Sequence, residues 1–494
     1  MNITGKSLIE GQWQADANQE CFYAFLPQQN QYAEQAFVNA SSAEIALATK
    51  AAQNAFKTYR KTTAKQRADF LNAIADNILA IGDILIETTM QESGLPEQRL
   101  VGERMRTVNQ LRFFANDLLD NPDASIVEQG DASREPLPKP TTKLSYLPIG
   151  PVAVFGASNF PYAFSVLGGD TASALATGCP VVVKGHPAHP ATSELMANAI
   201  LKALAECQLP LGVFSLLQAA DPNVSHELVK QDAIKAVGFT GSFNVASSLQ
   251  KSIFERTEPI PFYGELGSIN PQIIFADKMK KDSKALAQTF VGSLMMGQGQ
   301  FCTSPGVWLI PAGSQDFLSE VEVAMAEQGS APLLTPGILA SYNQSLEQIL
   351  ALDSTSLIAR NKPAESFHPV AQVVKTELDA FINTPVLQQE VFGPYALVVE
   401  YQSIDELVAV ISGLEGQLTA SVHGEQAELE KHEDVIEELS YCVGRLIYNQ
   451  MPTGVEVCAT MNHGGPFPSS TDSKTTSVGL NAKQRFLRPI CYQS

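Results

Sequence analysis

The sequence predicts an α/β protein built on a doubly wound, mostly parallel sheet, followed by a second α/β unit. Two observations predict it. From residue 150, short apolar runs alternate with helical patterns, as parallel strands joined by crossover helices require. The same alternation resumes after residue 270 and continues to about 448, too far for one sheet.

The elements follow in order. Ser41-x-x-Glu44 is a capping box ahead of Ile45, Leu47, Ala51 and Phe56, so a helix starts there. Thr63-x-x-Gln66 caps a second helix, with Phe70, Leu71, Ile74, Ile78 and Leu79 on one face. A third helix, 97–119, carries Arg104, Arg106 and Arg112. Residues 121–147 change character. Asn121-Pro122-Asp123 and then Pro136, Pro138 and Pro140 exclude a long helix, so the segment reads as an extended excursion, either a linker or a strand pair reaching another subunit. Strands are predicted at 152–156, 181–184, 213–217 and 236–239, with helices at 164–177, 190–207, 222–230 and 243–253. A second series of strands is predicted at 272–275, 307–310, 396–400, 418–422 and 443–448, with helices between them. The last segment, 474–494, has little helical pattern and is expected to pair with a neighbouring sheet.

Composition narrows the function classes. The 494 residues make about three domain equivalents. An apolar share of 45 % with 17 % charged residues argues against a disordered chain. The net charge of −19 repels phosphate backbones and anionic membranes, so neither nucleic acid nor membrane is an expected partner. No apolar run approaches the ~18 residues of a membrane span, and the N-terminus lacks a signal pattern. The seven cysteines are scattered and never spaced C-x-x-C, which argues against a disulfide scaffold or a zinc cage. No metal is expected, the expected compartment is a reducing cytosol, and Asn2-Ile3-Thr4 then carries no glycan.

Several motifs can carry chemistry, and each has a plainer alternative. Gly5-Lys6-Ser7 lacks the earlier glycine of a phosphate-binding loop, and His432-Glu433 lacks the second histidine of a zinc-protease helix. A full G-x-G-x-x-G is absent. Cys302 stands in Gly297-Gln-Gly-Gln-Phe-Cys302-Thr-Ser-Pro305, a loop with spare backbone N–H groups that suit a thiolate and an adjacent oxyanion; the alternative is a small core residue. Glu265, between Gly264 and Gly267, is either a partly desolvated general base or a solvated turn carboxylate. Asn159 follows the first predicted strand, where its amide can meet an oxyanion or cap the next helix. Lys184 ends a strand, where it meets a ribose or phosphate, or only water. Gly241 and Ser242 open a helix and suit a phosphate or an ordinary cap. Glu390 and Phe392 fit either ribose and nicotinamide contacts or a plain turn.

Taken in order, these segments resemble the aldehyde dehydrogenase superfamily along essentially the whole chain. The resemblance rests on Pro148-Ile-Gly-Pro-Val152, Asn159-Phe-Pro161, Val181-Val-Val-Lys184, Phe239-Thr-Gly-Ser242, Glu265-Leu-Gly267, Gly299-Gln300-x-Cys302 and Glu390-Val-Phe-Gly-Pro394. It implies a Rossmann-type cofactor domain that dispenses with G-x-G-x-x-G, an α/β catalytic domain and a small oligomerisation extension. It also implies roles: Cys302 as nucleophile, Glu265 as general base, Asn159 as oxyanion donor. Lys184 is implied as a ribose ligand, Gly241 and Ser242 as pyrophosphate platform, and Glu390 with Phe392 as the nicotinamide-ribose clamp. The implied domains are 1–122 with 148–257 for the cofactor and 258–473 for catalysis, with 123–147 and 474–494 as oligomerisation elements of a homodimer or homotetramer.

One departure bears on the cofactor. The family often reads Lys-Pro-Ala/Ser-Glu where this chain has Lys184-Gly-His-Pro187. Without that Glu, and with Lys184 and His186 adding positive charge, NADP is expected to be accepted well or preferred over NAD. Phe155-Gly-Ala-Ser-Asn-Phe-Pro161, Gly168-Gly-Asp-Thr171, Lys184-Gly-His-Pro-Ala-His-Pro190 and His463-Gly-Gly-Pro-Phe-Pro468 look like the α-ketoglutaric semialdehyde (2,5-dioxovalerate) dehydrogenases. A fatty-aldehyde dehydrogenase subgroup shares much of this wording. The dioxo acid carries a carboxylate, for which Arg104 and Arg112, about two turns apart on one helix, are candidates beside the alternative of solvated surface arginines. The rival readings are a coenzyme A-acylating enzyme, which Glu265 argues against, a catalytically silent structural relative, and a thiol esterase.

Overall fold

The computed structural model describes residues 3–122 and 125–494; Asn2 of the glycan motif and Asp123 of the predicted turn lie outside the described residues. Two seven-stranded sheets organise the chain. The first runs Phe262–Glu265, Ala236–Thr240, Val152–Phe155, Val181–Lys184 and Phe214–Leu217, all parallel, then Ser7–Ile9 and Gln12–Gln14 antiparallel at the edge. Their β-branched residues are buried on both faces, as parallel strands covered by helices on either side must be. The chain winds from the central strand Val152–Phe155 outward to one edge, then returns to lay Ala236–Thr240 on its other side. That reversal is the switch point of a doubly wound sheet, where ligands settle beyond the strand C-termini.

The helices start where the capping signals put them. Ser41 and Glu44 close a capping box on Ser42–Tyr59, and Thr63 with Gln66 on Ala64–Ala80. Each box satisfies N–H groups that a helix start otherwise leaves unpaired, worth about 1 kcal/mol apiece. Helix Glu97–Asp120 lies against Ala64–Ala80 and forms one wall of the site described below. Its buried Glu103 accepts hydrogen bonds from the Tyr162 and Ala163 N–H groups at 2.8 and 3.0 Å, which fixes the loop after Asn159.

The second sheet orders Thr355–Arg360, Gln372–Glu377, Tyr395–Tyr401, Val307–Pro311, Gln272–Ile274, Gln417–His423 and Val443–Tyr448. All are parallel except the first, a hairpin partner that the sequence pattern missed. Phe262–Glu265 pairs with Ala236–Thr240, so the division between the sheets lies after Glu265 rather than at 257/258 as expected. Strand Phe262–Glu265 completes a β–α–β step through helix Phe243–Phe254, and the expected boundary fell in the linker 255–261 that joins them.

The excursion after helix Glu97–Asp120 forms a three-stranded antiparallel sheet from Ile126–Glu128, Thr142–Pro148 and Leu487–Gln493. The expected pairing of the C-terminal segment is thereby met. Ile126, Val127, Leu137 and Tyr492 are exposed there.

Candidate active site

Four strand ends open onto one edge of the first sheet: Phe155, Lys184, Thr240 and Glu265. The loop carrying Asn159 follows the first of them. The Cys302 loop approaches from the second unit. It follows helix Ala276–Met295 through a tight turn in which Gly297, Gln298 and Gly299 all have positive φ. A Cβ on Gly299 would stand 2.1 Å from the Gly393 carbonyl oxygen, so only glycine lets this turn meet the segment 390–394. Asn270 donates its amide to the carbonyls of Cys302 and Ser304 at 2.8 and 2.9 Å, which pins the loop from below.

Cys302 and Glu265 come together, and His463 joins them. His463 Nε2 lies 2.7 Å from Glu265 Oε1 and 3.5 Å from Cys302 Sγ. Ser477 donates its hydroxyl to the other Glu265 oxygen at 2.5 Å. Glu265 and His463 are buried. The two partners from the C-terminal segment are held by an antiparallel run along the Glu265 strand. Leu266 N–H donates to Ser469 O and Thr471 N–H to Gly264 O, at 2.9 and 3.1 Å. The Ser477 N–H then donates to His463 O at 2.8 Å.

The electrostatics separate the two central groups. Burial alone would raise the Glu265 carboxyl, but the adjacent His463 and the hydrogen bonds from His463, Ser477 and Cys302 outweigh it and leave the carboxyl below its ordinary value. Burial pushes the Cys302 thiol well up, and the Glu265 charge and hydrogen bond push it further. In this arrangement the thiol holds its proton and Glu265 is the acceptor beside it. The Sγ, Nε2 and carboxylate oxygen atoms lie within 4.8 Å of one another, a span a zinc-type ion can bridge, yet they already satisfy each other by hydrogen bonds.

Asn159 donates one amide hydrogen to Gln300 O at 2.9 Å. Its second amide hydrogen and the Cys302 N–H have no partner among the described residues. The Asn159 carbonyl is held by Arg99 Nη2 at 2.6 Å, and the Arg99 guanidinium lies over the rings of Phe160 and Phe301.

The groups expected at a cofactor are spread along the strand-end edge. Half-buried Lys184 makes no hydrogen bond or ion pair among the described residues. Burial lowers its ammonium to about 8, with Asp221 working the other way, so it remains charged at pH 7. An unpaired buried ammonium at this edge fits an anionic or hydroxyl-rich ligand. His186 differs from the expectation. Burial first, then His189 and Lys184, drive its imidazole well below the ordinary value, so it is neutral at pH 7 and adds no charge. Its Nδ1 accepts from the Ala188 N–H at 3.1 Å and its ring stacks on His189. Gly241 donates its N–H to Glu265 O, while Ser242 stands at the N-cap of helix Phe243–Phe254 without a capping bond from its hydroxyl. Glu390 lies against Gly267: a Cβ there would meet its Oε2 at 2.4 Å. Phe392 is half-buried beside it.

A chamber of about 810 Å³ opens over Cys302 and Thr303. Phe160, Phe164, Phe301, Leu446, Ile447 and Met451 supply apolar walls, with Arg106 and Arg445 among them. The expected arginines are elsewhere. Arg104 donates to Gly82 O at 3.1 Å, and Arg112 pairs with the exposed Asp76 at 2.7 Å. Two residues along a helix is about 200°, so Arg106 points away from Arg104 and into the chamber. His463, Ser477 and Arg445 thus form part of the site without having been assigned to it from sequence, and Arg106 is the one of its helix's three arginines that lines the chamber. Only the His463-Gly-Gly-Pro-Phe-Pro468 wording had marked the first of them.

Comparison with known proteins agrees with this geometry. A family model described as the aldehyde dehydrogenase family matches residues 13–485. The Alpha-ketoglutaric semialdehyde dehydrogenase 2 of Azospirillum brasilense is 41 % identical over 498 residues, covering 100 % of this chain and 95 % of the relative. The Alpha-ketoglutaric semialdehyde dehydrogenase of Acinetobacter baylyi is 39 % identical over 501 residues, covering 99 % and 94 %. Among solved structures, the aldehyde dehydrogenase KauB from Pseudomonas aeruginosa superposes with a TM-score of 0.85 at 22 % identity, covering 100 % of this chain and 97 % of that one. A betaine aldehyde dehydrogenase double mutant from Staphylococcus aureus, in complex with NAD+, gives 0.85 at 19 % identity, covering 100 % and 97 %. These two show the shared fold.

Proposed function

The chain belongs to the aldehyde dehydrogenase family, and on that premise we propose that it oxidises 2,5-dioxovalerate (α-ketoglutaric semialdehyde) to 2-oxoglutarate, with NADP used as a nicotinamide cofactor at least as well as NAD. The observation that carries the reaction is the meeting of Cys302, Glu265 and His463 at the foot of the chamber, with two unspent hydrogen-bond donors beside them.

Cys302 Sγ gives up its proton to the Glu265–His463 pair and attacks the aldehyde carbon. The oxyanion of the Cys302 thiohemiacetal takes the free Asn159 amide hydrogen and the Cys302 N–H. A nicotinamide, when bound, supplies the hydride acceptor for this carbon. Once the pair has released the Cys302 proton to solvent, Glu265, oriented by Ser477 and His463, draws a proton from water; the hydroxide adds to the thioester carbon and the Cys302 thiolate leaves, giving the acid. Lys184, Gly241 and Ser242 would hold the adenosine end of the cofactor, and Glu390 with Phe392 the nicotinamide end. His186 serves there as a neutral ring rather than a cation. Asn159→Ala is expected to lower kcat by ~10²–10³, the usual cost of one oxyanion donor, with a thermal midpoint lowered only by loss of the buried bond to Gln300 O; a rate within tenfold of wild type removes Asn159 from this role.

Reduced-cofactor formation tests the whole reading. With NADP, kcat/KM for 2,5-dioxovalerate is expected to exceed that for a long-chain aldehyde. With 2,5-dioxovalerate, NADP is expected to match or exceed NAD. A tenfold preference for NAD overturns the cofactor assignment. The apolar chamber walls favour one second reading, an NADP-dependent fatty-aldehyde dehydrogenase, which a preference for the long aldehyde would support.

We further propose a homodimer or homotetramer in the cytoplasm. The exposed apolar residues of the three-stranded sheet suit a subunit contact, and all seven cysteines are unpaired. No helix among the described residues is long and apolar enough to cross a membrane.

A further inference from the structure

Arg106 and Arg445 reach the same chamber from opposite walls of the molecule. Arg106 comes from helix Glu97–Asp120, packed against helix Ala64–Ala80, and Arg445 from the edge strand Val443–Tyr448 of the second sheet. Each is partly held. Arg106 Nη2 donates to Val455 O at 3.3 Å, and its guanidinium lies over the Phe164 ring at 5.0 Å. Arg445 donates Nη1 to Gly454 O at 2.9 Å and Nη2 to Pro452 O at 2.6 Å. What remains is unspent: Arg106 Nη1 and Arg445 Nε are buried without a hydrogen-bond partner.

Neither guanidinium has a carboxylate within ion-pair distance among the described residues. Among the described residues, Glu456 is the one carboxylate lining the chamber; it is exposed and accepts from its own neighbour, the Val457 N–H. Both guanidinium groups lose hydration among aromatic and aliphatic walls; nearby Glu103 and Glu265 offset part of this cost for Arg106, but no carboxylate touches either group. An arginine kept only to brace the loop 449–462 needs the donors already spent on its carbonyls. The unspent ones call for an anion brought from outside, and a planar carboxylate is the group that guanidinium donors match best.

We propose that Arg106 and Arg445 together form the carboxylate-reading site of the substrate chamber, which selects short aldehydes bearing an acid group at the far end from the one that meets Cys302. This rests on the semialdehyde reading above and names the residues that enforce it. Arg106, Val455 and Glu456 also line a neighbouring outer cavity, whose wall includes Arg112, so Arg106 stands between that cavity and the chamber over Cys302.

The test compares 5-oxopentanoate with pentanal, which have equal length and differ in the carboxylate, using the full-length enzyme at saturating NADP. Wild type is expected to favour 5-oxopentanoate strongly. Arg106→Gln and Arg445→Gln are each expected to lower kcat/KM for 5-oxopentanoate by about 10- to 100-fold, chiefly through KM, as loss of a charged hydrogen bond requires. The loss on pentanal should be much smaller than that on 5-oxopentanoate in each variant, with Arg445→Gln carrying a part common to both aldehydes because its charge lowers the Cys302 thiol, and the double variant should show little preference. Arg106→Lys should recover part of the loss. Because Arg445 also ties its loop, glutarate protection against thermal unfolding is read in parallel; it should weaken in each single variant. Equal losses on both aldehydes, or variants that keep the preference and the glutarate effect, overturn the arginine site and leave the substrate reading standing. A wild type that does not distinguish the two aldehydes overturns both.

Discussion

Cys302→Ser is expected to abolish aldehyde oxidation while leaving the fold intact. The covalent route needs a nucleophile that attacks the carbonyl carbon and later leaves as a thiolate, and a serine hydroxyl in the same place does neither at neutral pH. Loss of a covalent nucleophile commonly costs about 10⁴-fold or more in kcat. The substitution itself is mild. Serine keeps a hydrogen-bonding group near His463, and the Cys302 carbonyl stays fixed by Asn270. Initial rates of reduced-cofactor formation at saturating aldehyde, with the thermal midpoint as control, measure the effect. Residual activity within tenfold of wild type would remove Cys302 from the mechanism.

Glu265→Gln separates the two halves of the reaction. Gln keeps oxygen and nitrogen near Ser477 and His463 but cannot take a proton from water. His463 Nε2 remains to take the Cys302 proton, so oxidation should still proceed once and then stall at the thioester. Rapid mixing should show a burst of reduced cofactor approaching one equivalent per site, followed by a steady rate lower by about 10²–10⁴. The same variant should change the thiol in a definite direction. Glu265 raises the Cys302 thiol through its charge and its hydrogen bond, behind the larger effect of burial. Removing the charge lowers the folded-state value, so at any pH below it a larger fraction is thiolate. Iodoacetamide should then alkylate Cys302 faster at pH 7 in the variant, with the pH profile of alkylation displaced downward. No burst, or slower alkylation, would contradict the geometry of the pair.

Parts of this molecule are readable residue by residue. Helix Pro222–Lys230 and strand Val181–Lys184 fall where the pattern places them, because a capping Asp221, a leading Pro222 and a run of valines act within a few residues of themselves. The two capping boxes belong to the same class. Cys302 and Glu265 are legible for a related reason: glycines on either side of a reactive side chain mark a loop whose backbone is free to serve it.

Other parts have no local signature. Thr355–Arg360 pairs as a hairpin on the outer edge, and Ser7–Ile9 joins a strand more than two hundred residues away. Nothing within either segment names its partner. His463 reaches Cys302 across 161 positions and Glu265 across 198. It does so through the bonds that Ser469 and Thr471 make along the Glu265 strand. Arg104, Arg106 and Arg112 are chemically alike in the sequence, and only the orientation of their helix selects the one that enters the chamber.

The sequence by itself determined the alternation of strands and helices, the helix starts and the family, since these rest on contacts within a turn or on motifs in a fixed order. The tertiary structure alone decided which charges survive and which side chains meet. His186 is neutral because burial beside Lys184 and His189 disfavours its cation, and Cys302 holds its proton because it is buried, with Glu265 folded against it adding to the effect. Both outcomes depend on desolvation and on Coulomb terms over a few ångströms between residues distant in sequence, quantities that exist only once the chain has closed.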